Sequence, residues 1–396
     1  MICKNERMNP DITYFAKTDF RNRNQPFGIW QKDRLMHTYI IGKTGTGKST
    51  MIKTMLMQDV EVWRGACLID PHGDLVEAVF RSIPEYRRED IVYFNVPDAG
   101  LNLRYNPFKK VSVEKRSLVA SSILDVFKKL WSDAWGVKLE HILRYAILTL
   151  LDQPSATLDD IPKLLLDRTF RRECVARVEN ISVSLFWERE FPHYMRFDLL
   201  PVLNKMGGML AHPVIRRVLI ENTEEVYLRK AMDERKIILV NLSKGHLGED
   251  VAHLLGALFI SSINSAAFSR VDTEEDLRVP FMLYLDEFQN YLTLSTVGML
   301  SELRKFRVGL VLANQYMYQM DDEMRRAILG NIGTLISFRV GTEDAQLLAR
   351  EMYPVFTMEW FINLPNHSFF IKLMIDGVPS KPFSAVSVMH GATEPP

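Results

Sequence analysis

Cysteine is scarce in this sequence: Cys3, Cys67 and Cys174 are the three cysteines among 396 residues. An odd number of cysteines without a CxxC spacing is not the pattern of a disulfide framework or of a zinc module. The composition therefore indicates a reducing compartment and excludes a small disulfide-stapled fold. Metal chemistry based on cysteine is not expected for the same reason.

Charge of one sign is not in excess, because 49 Lys and Arg residues balance 49 Asp and Glu residues. A protein that coats DNA through its overall field would be strongly basic. Any contact with DNA is therefore expected to use a localised surface. A signal-peptide-like start is also missing, and no window reaches the roughly 18 uncharged apolar residues of a membrane span. We expect no membrane span and a cytoplasmic protein.

Short runs rich in β-branched and apolar residues alternate with helical patterns, which is typical of an α/β fold with a buried parallel sheet. The predicted strands cover residues 36–41, 65–70, 90–95, 236–242, 281–285, 309–314 and 334–339. Two further runs, 369–375 and 381–388, predict a C-terminal β-hairpin. Residues 113–233 have helical periodicity and few strand patterns. We therefore expect an all-helical domain at 113–233, inserted into a sheet domain formed by 1–112 and 234–396.

A glycine-rich motif follows the first predicted strand, since residues 42–49 read Gly-Lys-Thr-Gly-Thr-Gly-Lys-Ser. This matches G-x-x-x-x-G-K-[ST] between a strand and a helix, which is the context of a phosphate-binding P-loop. Lys48 is expected to bridge the β- and γ-phosphates of ATP, Ser49 to bind Mg²⁺ and Thr50 to bond the α-phosphate. The predicted nucleotide-binding residues are Gly42, Thr44, Gly45, Thr46, Gly47, Lys48, Ser49 and Thr50.

Two acidic residues end the strand at 281–285. Asp286 is predicted to be the metal-side acid, and Glu287 the catalytic base that polarises the attacking water. A helix start rich in acidic residues has the same pattern, and alone it would be an equal alternative. The P-loop upstream favours the catalytic interpretation.

Polar residues also flank the strand at 309–314. Gln315 follows it, where an amide can contact both the γ-phosphate and the water; a surface amide that caps a helix is the alternative. Arg304, Lys305 and Arg307 precede it as a basic cluster. Such clusters are usually solvated, but an arginine here can also reach the γ-phosphate bound to a neighbouring subunit.

These motifs occur together with Asp70-Pro71-His72-Gly73, Val240-Asn241-Leu242-Ser243 and Phe288-Gln289. In this combination the chain resembles the HerA/FtsK superfamily of hexameric DNA motors, and specifically the soluble ATPase part of type IV secretion coupling proteins of the TraG/TraD kind. The resemblance implies a RecA-like P-loop fold, ATP and Mg²⁺ as cofactors, DNA as a partner and a hexameric ring. It also implies that Arg304 acts as a trans-acting arginine finger, with Arg307 and Arg339 as weaker candidates.

The resemblance further implies relaxase or secretion-channel partners, which would bring the protein to the inner face of the membrane. Anchored relatives begin with transmembrane helices and HerA-type motors with a barrel, whereas about 35 residues precede the first core strand here. We expect either a naturally soluble branch or an excised ATPase region.

The leading hypothesis is therefore an ATP-driven DNA translocase in conjugation, type IV secretion or DNA processing. A monomeric helicase-like ATPase is the first alternative, because Asp286-Glu287-Phe288-Gln289 also fits a DExQ pattern. It requires a second RecA-like lobe, for which the residues after Gln315 are too few. The second alternative is a nonenzymatic adaptor that binds ATP without turnover, and the intact Glu287 and Gln315 argue against it.

Overall fold

The structure is a computed structural model that describes residues 9–19, 21, 24–108, 111–293, 297–298 and 300–391. Cys3 lies outside the described residues, and both Cys67 and Cys174 are buried and unpaired. The described strands are β1 (Ile12–Thr18), β2 (Pro26–Trp30), β3 (Thr38–Ile41), β4 (Gly65–Asp70), β5 (Ile91–Asn95), β6 (Leu103–Arg104), β7 (Glu224–Glu225), β8 (Ile237–Asn241), β9 (Phe281–Leu285), β10 (Val308–Asn314), β11 (Thr334–Ser337), β12 (Ser368–Lys372), β13 (Met374–Ile375), β14 (Val378–Pro379) and β15 (Phe383–Ser387).

Helices connect and cover these strands. The described α-helices are α1 (Gln31–Arg34), α2 (Lys48–Glu61), α3 (Asp74–Ser82), α4 (Val113–Leu130), α5 (Val137–Leu151), α6 (Asp160–Leu166), α7 (Arg168–Val175), α8 (Ile181–Leu185), α9 (Arg196–Leu210), α10 (Pro213–Arg216), α11 (Leu228–Asp233), α12 (Lys244–Leu247), α13 (Glu249–Ser269), α14 (Leu300–Leu303), α15 (Asp322–Asn331), α16 (Thr342–Glu351) and α17 (Met358–Ile362).

One sheet of the described residues contains eleven strands in the order β2-β1-β15-β12-β11-β3-β10-β9-β4-β8-β5. The run from β11 through β3, β10, β9 and β4 to β8 is parallel. The strands β12, β15, β1 and β2 add to it in antiparallel pairs. All residues of β3, β4, β9 and β10 are buried, as expected for parallel strands that are covered on both faces. The predicted α/β fold with a mainly parallel sheet is confirmed.

All seven predicted strands are present, with ends within two residues of the predicted ones. The predicted C-terminal hairpin is also present, since β12 and β15 pair in antiparallel fashion. It is an integral part of the main sheet, because β12 pairs with β11 and β15 pairs with β1. Sequence analysis missed β1 and β2, which join the sheet through a strand almost 370 residues later in the chain.

Contacts divide the chain into two compact units. Unit 1 comprises Met1–Phe94, Arg229–Ser243 and Ala266–Pro396, and it contains the large sheet. Its core joins helix α2 to the sheet, since Met51 and Met55 of the helix and Ile40 and Val311 of the strands belong to one buried cluster.

Unit 2 comprises Asn95–Leu228 and Lys244–Ser265 and is mainly helical. Aromatic packing stabilises it: the rings of Tyr145 and Phe186 stack at 4.2 Å, and the Trp187 indole donates a hydrogen bond of 2.7 Å to Thr149 Oγ1. The predicted insertion boundaries at 113 and 233 stay a prediction.

One segment of the described residues is long and apolar enough to cross a membrane by length and composition. This segment, Glu249–Asp272, contains an 18-residue window of mean hydropathy 1.5, of which 78% is buried. Sequence analysis did not single it out, because histidine, serine and asparagine interrupt its apolar residues. A mostly buried core helix passes the same test, so the segment is weak evidence of a membrane span.

Candidate nucleotide-binding site

The predicted motifs converge because they follow neighbouring parallel strands. The carboxyl ends of such strands meet at one edge of a sheet, where α/β proteins bind their ligands. Strand β10 lies between β3 and β9, and β4 lies on the other side of β9. The order along this edge is therefore the P-loop, then Gln315, then Asp286 and Glu287, and then Asp70.

The P-loop backbone depends on its glycines. Gly45 and Gly47 have φ angles of 75° and 122°, which side chains other than glycine rarely tolerate. Gly42 is required for a different reason, because a Cβ atom there would lie 2.5 Å from Phe338 Cβ. The hydroxyl of the buried Thr46 donates a hydrogen bond of 2.7 Å to Lys43 O, which closes the loop on itself.

Lys48 is buried at the base of this loop and is 6% exposed. Its Nζ donates hydrogen bonds to Gly42 O at 2.5 Å and to Lys43 O at 3.3 Å. Burial lowers the pKa of Lys48, and the carboxylates of Asp286 and Glu287 oppose this shift. The structure thus brings the predicted phosphate-binding lysine together with both predicted acids.

Asp286 lies in an excess of negative charge. It is 6% exposed, and burial raises its pKa to about 7, with Asp70 and Glu287 contributing to the rise. The positive charge of Lys48 and a hydrogen bond of 3.1 Å from Glu287 N to Asp286 Oδ1 oppose it. The site therefore holds a carboxyl group that a cation would stabilise in its charged form.

The backbone of Glu287 is strained, and a hydrogen bond orients its carboxylate. Its φ angle is 46°, in the left-handed region that is unusual for glutamate, and its residue is 6% exposed. Gln289 Nε2 donates a hydrogen bond of 2.8 Å to Glu287 Oε2 and another of 3.0 Å to Gln319 Oε1. Sequence analysis did not assign this orienting role to Gln289, although the DExQ pattern contains it.

Asp70 supports the acidic end of the site. Its carboxylate accepts hydrogen bonds from His72 N at 2.8 Å and from Leu75 N at 2.9 Å, and so it caps the start of α3. Gly73 has a φ angle of 89°, and a Cβ atom there would lie 2.6 Å from Asn241 Oδ1. The Asp-Pro-His-Gly motif is thus a tight turn that packs against the end of β8.

Gln315 contacts the P-loop directly, since Thr44 Oγ1 donates a hydrogen bond of 3.0 Å to Gln315 Oε1. The preceding residue is also fixed: Asn314 is fully buried and accepts a hydrogen bond of 2.7 Å from Tyr39 OH. The structure therefore places the predicted glutamine between the phosphate-binding loop and the acid pair.

The three candidate arginines lie in different places. Arg304 precedes β10 at the amino edge of the sheet, and a seven-residue strand separates this edge from Gln315 by roughly 20 Å. Arg307 pairs with Asp276 at 3.1 Å. Arg339 follows β11 beside the P-loop, where its carbonyl accepts a hydrogen bond of 2.8 Å from Lys43 N. Arg304 is thus remote from the P-loop of its own chain, whereas Arg339 adjoins it.

His367 is a neighbour of the P-loop that the sequence did not reveal. Its N–H donates a hydrogen bond of 2.8 Å to Thr46 O, and its own carbonyl accepts one of 2.9 Å from Ser387 N. A Cβ atom on Gly47 would lie 3.0 Å from His367 Nδ1. Because His367 is about 320 residues from the motif and has no characteristic spacing, nothing in the sequence indicated this contact.

Magnesium fits the residues present. Mg²⁺ prefers oxygen ligands and in nucleotide sites uses few protein groups together with phosphates and water. Ser49 offers a hydroxyl at the start of α2, and Asp286, whose pKa is raised by burial and by Asp70 and Glu287, offers a carboxylate at the same sheet edge. No group of three or more His, Cys, Asp or Glu side chains in the described part of the chain could hold a metal ion by itself. The donor set therefore suits a cation that arrives with a nucleotide.

Solved structures share this fold. TrwB in complex with ADP and Mg²⁺ has a TM-score of 0.67 and 13% identity, with 91% of this chain and 87% of that chain covered. The unbound conjugative coupling protein TrwBdeltaN70 has a TM-score of 0.64 and 14% identity, with 93% and 87% covered. VirB4 of Thermoanaerobacter pseudethanolicus has a TM-score of 0.64 and 14% identity, with 98% of both chains covered. These identities establish the fold alone.

Among curated proteins, the sequence has no match. The family model of the type IV secretion-system coupling protein DNA-binding domain matches residues 28–352 of the 396. The matched region contains the P-loop, the acid pair, Gln315 and Arg304. This chain therefore belongs to the type IV secretion-system coupling protein DNA-binding domain family, with a RecA-like P-loop fold of the HerA/FtsK type.

Proposed function

We propose that this chain is a Mg²⁺-dependent ATPase that uses hydrolysis to move DNA, as a ring of six copies, during DNA transfer. The observation that carries this proposal is the joint placement of Lys48, Asp286, Glu287 and Gln315 along one sheet edge. The family description supports DNA as the partner, and the nucleotide complexes of the TrwB fold support ATP.

Phosphate binding is assigned to the P-loop. Lys48 Nζ now donates to the carbonyls of Gly42 and Lys43, and phosphate oxygens would replace these acceptors. Ser49 and Asp286 would hold Mg²⁺, which neutralises phosphate charge when it is bound with the nucleotide. The backbone N–H groups at the start of α2 provide further donors for phosphate.

Water activation is assigned to Glu287. The hydrogen bond from Gln289 to Oε2 fixes the carboxylate, which can accept a proton from water. Gln315 is bonded to Thr44 and lies between this base and the P-loop, so it is placed to orient the same water and to respond to the γ-phosphate. The residues for binding and for hydrolysis are thus present in one chain.

The positive group that would complete the site is assigned to a neighbouring copy. Arg304 is remote from its own P-loop, and among the described residues no acidic side chain pairs with it. It is exposed at the amino edge of the sheet, where a second copy can receive it. This placement supports a site shared between subunits, as in a ring.

Glu287→Gln tests the proposal. We expect ATP hydrolysis to fall by about 100-fold or more with nucleotide binding retained, because the amide cannot accept the proton. The rates of wild type and variant are measured at several protein concentrations, with and without single- or double-stranded DNA. Glu173→Gln, an exposed change in unit 2, is the control.

A wild-type rate per subunit that rises with protein concentration and with DNA supports the shared site and the DNA motor. A rate independent of both would point to a self-contained monomeric ATPase. Nucleotide binding without any turnover would contradict the enzyme and favour an adaptor.

A further inference from the structure

We infer that His37 is a positioning residue for Arg304. It links the turn that carries this arginine, which a neighbouring copy would receive, to the strand that precedes the P-loop. The inference rests on the proposed function, because it uses Arg304 as the group that completes the site of the next subunit. It concerns the amino edge of the sheet, opposite the nucleotide-binding edge.

His37 is an unusual residue at this edge. It immediately precedes β3, has a φ angle of 65° and is 2% exposed. A left-handed backbone is strained in residues other than glycine, so the surrounding structure must hold His37 in place. An ordinary core histidine would not need this conformation.

Both ring nitrogens of His37 are engaged. Leu310 N donates a hydrogen bond of 3.1 Å to Nδ1, and Nε2 lies 2.8 Å from Leu300 O, to which it donates. The two bonds together require the neutral ring with its proton on Nε2. Burial lowers the pKa of His37 to about 4; the bond to Leu300 opposes this shift, and the charge of Arg304 adds to it.

The two hydrogen-bond partners of His37 lie in segments that lead to residues of the proposed site. Leu310 belongs to β10, the strand that Gln315 follows, and Leu300 belongs to α14, the turn that leads to Arg304. His37 therefore connects three segments: the strand of the P-loop, the strand of the glutamine and the turn of the arginine. Leu300 and Leu303 are each 1% exposed, so this turn is packed and cannot shift independently of its anchor.

The side chain of Arg304 has no hydrogen-bond or ion-pair partner among the described residues. It is exposed, and it lines a cavity of about 230 Å³ together with His37, Ser301, Asn331 and Gly333. Open space on this side means that packing does not fix where Arg304 lies. The backbone anchor at Leu300, one helical turn earlier, holds the start of this turn, and hydrogen bonds from Arg278 to Lys305 O and from Arg270 to Phe306 O hold its end.

The connection to the P-loop is short. Strand β3 separates His37 from Gly42 by four buried residues, and it pairs with β10 and β11 on its two sides. At roughly 3.3 Å per residue, His37 lies about 16 Å from the first glycine of the loop. A single buried strand thus holds the phosphate site of one subunit and the arginine that it presents to the next.

The test uses His37→Phe, which keeps an aromatic ring and removes both hydrogen bonds, and His37→Asn, which tolerates the left-handed backbone. We expect either variant to bind a fluorescent ATP analogue within about twofold of wild type and to lose about 10- to 100-fold in kcat, as a displaced catalytic group does. If His37→Phe does not fold, as judged by its thermal transition, His37→Asn is the variant measured. His193→Phe, at an exposed site in unit 2, is the control.

Two readouts separate positioning from a general structural role. In the Arg304→Ala background, the His37 variant should cause no further loss in kcat. Mixing it with Glu287→Gln subunits should restore hydrolysis, because the His37 subunit keeps its own catalytic base and receives an intact Arg304 from its neighbour.

The inference is overturned by an unchanged kcat, by a loss that multiplies with that of Arg304→Ala, or by a loss that mixing does not restore. A fully active Arg304→Ala variant would instead remove the trans arginine from the proposed function, and this inference with it. An inactive Arg304→Ala variant together with a fully active His37 variant would overturn this inference alone, so the two failures are distinguishable.

Discussion

At the scale of single residues, Asp286 has a charge that the proposed function requires and that destabilises the nucleotide-free protein. Asp286 is buried beside Asp70 and Glu287, and among the described residues the charge of Lys48 opposes this accumulation of negative charge. Its ionised form is therefore costly in the nucleotide-free protein. Replacing a buried like-charged carboxylate by a neutral amide should relieve that cost.

Asp286→Asn is accordingly expected to stabilise the nucleotide-free protein at pH 8 by about 1–4 kcal/mol, from about 1.4 kcal/mol for each unit of pKa difference. The folded pKa of about 7 is higher than the ordinary value of 3.8, so the wild type gains stability as pH falls from 7 towards 4. The advantage of the variant should shrink over that range.

Urea unfolding of both proteins at pH 8 and pH 5 measures this difference, and Asp133→Asn, at an exposed site, is the control. An advantage of Asp286→Asn that is equal at both pH values would contradict the assignment. The same variant should lose hydrolysis, because an amide is a poorer ligand for Mg²⁺.

The sequence predicts those site residues that can be recognised from the residues next to them in the chain. Lys48, Asp286 and Gln315 each lie directly after a strand or within a local motif, so pattern and position predict them. His37, Gln289 and His367 act through partners that fold topology brings near. The contacts of these three residues became visible only in the structure, from the strand order β3-β10-β9 and from the left-handed backbones of His37 and His367.

At the scale of elements, a buried ion-pair network ties the far end of α2 to the sheet. Arg34 donates to both carboxylate oxygens of Asp59, at 2.6 and 2.8 Å, and Tyr284 OH donates to Asp59 at 2.5 Å. All three residues are fully buried. Burial alone would raise the pKa of Asp59, but Arg34 lowers it below its usual range. The network holds the P-loop helix against β9, the strand that Asp286 follows.

Arg34→Met should therefore destabilise the protein by about 3–5 kcal/mol, because it leaves the buried Asp59 without its main partner. The free energy of unfolding is measured by urea titration. Arg81→Met removes an exposed pair with Glu77 and should change stability by less than about 1 kcal/mol. Equal effects of the two substitutions would show that the buried network does not hold α2.

Elements with a strong pattern of apolar residues were predictable from the sequence. Strands that form by pairing with residues far away in the chain were not. The parallel strands of the large sheet, from β11 through β3, β10, β9 and β4 to β8, are short apolar runs between helices, and all of them were found in the sequence, whereas the short parallel pair β6 and β7 was not. Strands β1 and β2 are exceptions: β1 pairs with β15 and β2 pairs with β1 at the rim of the sheet, so their patterns are only partly apolar. The start of β3 and the end of β11 each differ by two residues from the predicted bounds.

At the scale of the whole molecule, the two edges of the sheet have complementary contents. The carboxyl edge holds the P-loop, the acid pair and Gln315, whereas the amino edge holds Arg304 and its anchor His37. One chain therefore carries every group of the proposed site but cannot bring Arg304 to its own P-loop. The neutral net charge is compatible with a motor that contacts DNA through a localised surface.

The most direct test of this account mixes two inactive variants. Arg304→Ala keeps its own catalytic base, and Glu287→Gln keeps its own arginine, so a mixed assembly contains some sites with both. With random assembly of equal amounts, about one quarter of the sites would be complete, and we expect ATP hydrolysis in the presence of DNA to recover towards that fraction. Hydrolysis that stays at the sum of the two separate variants would contradict a site shared between subunits.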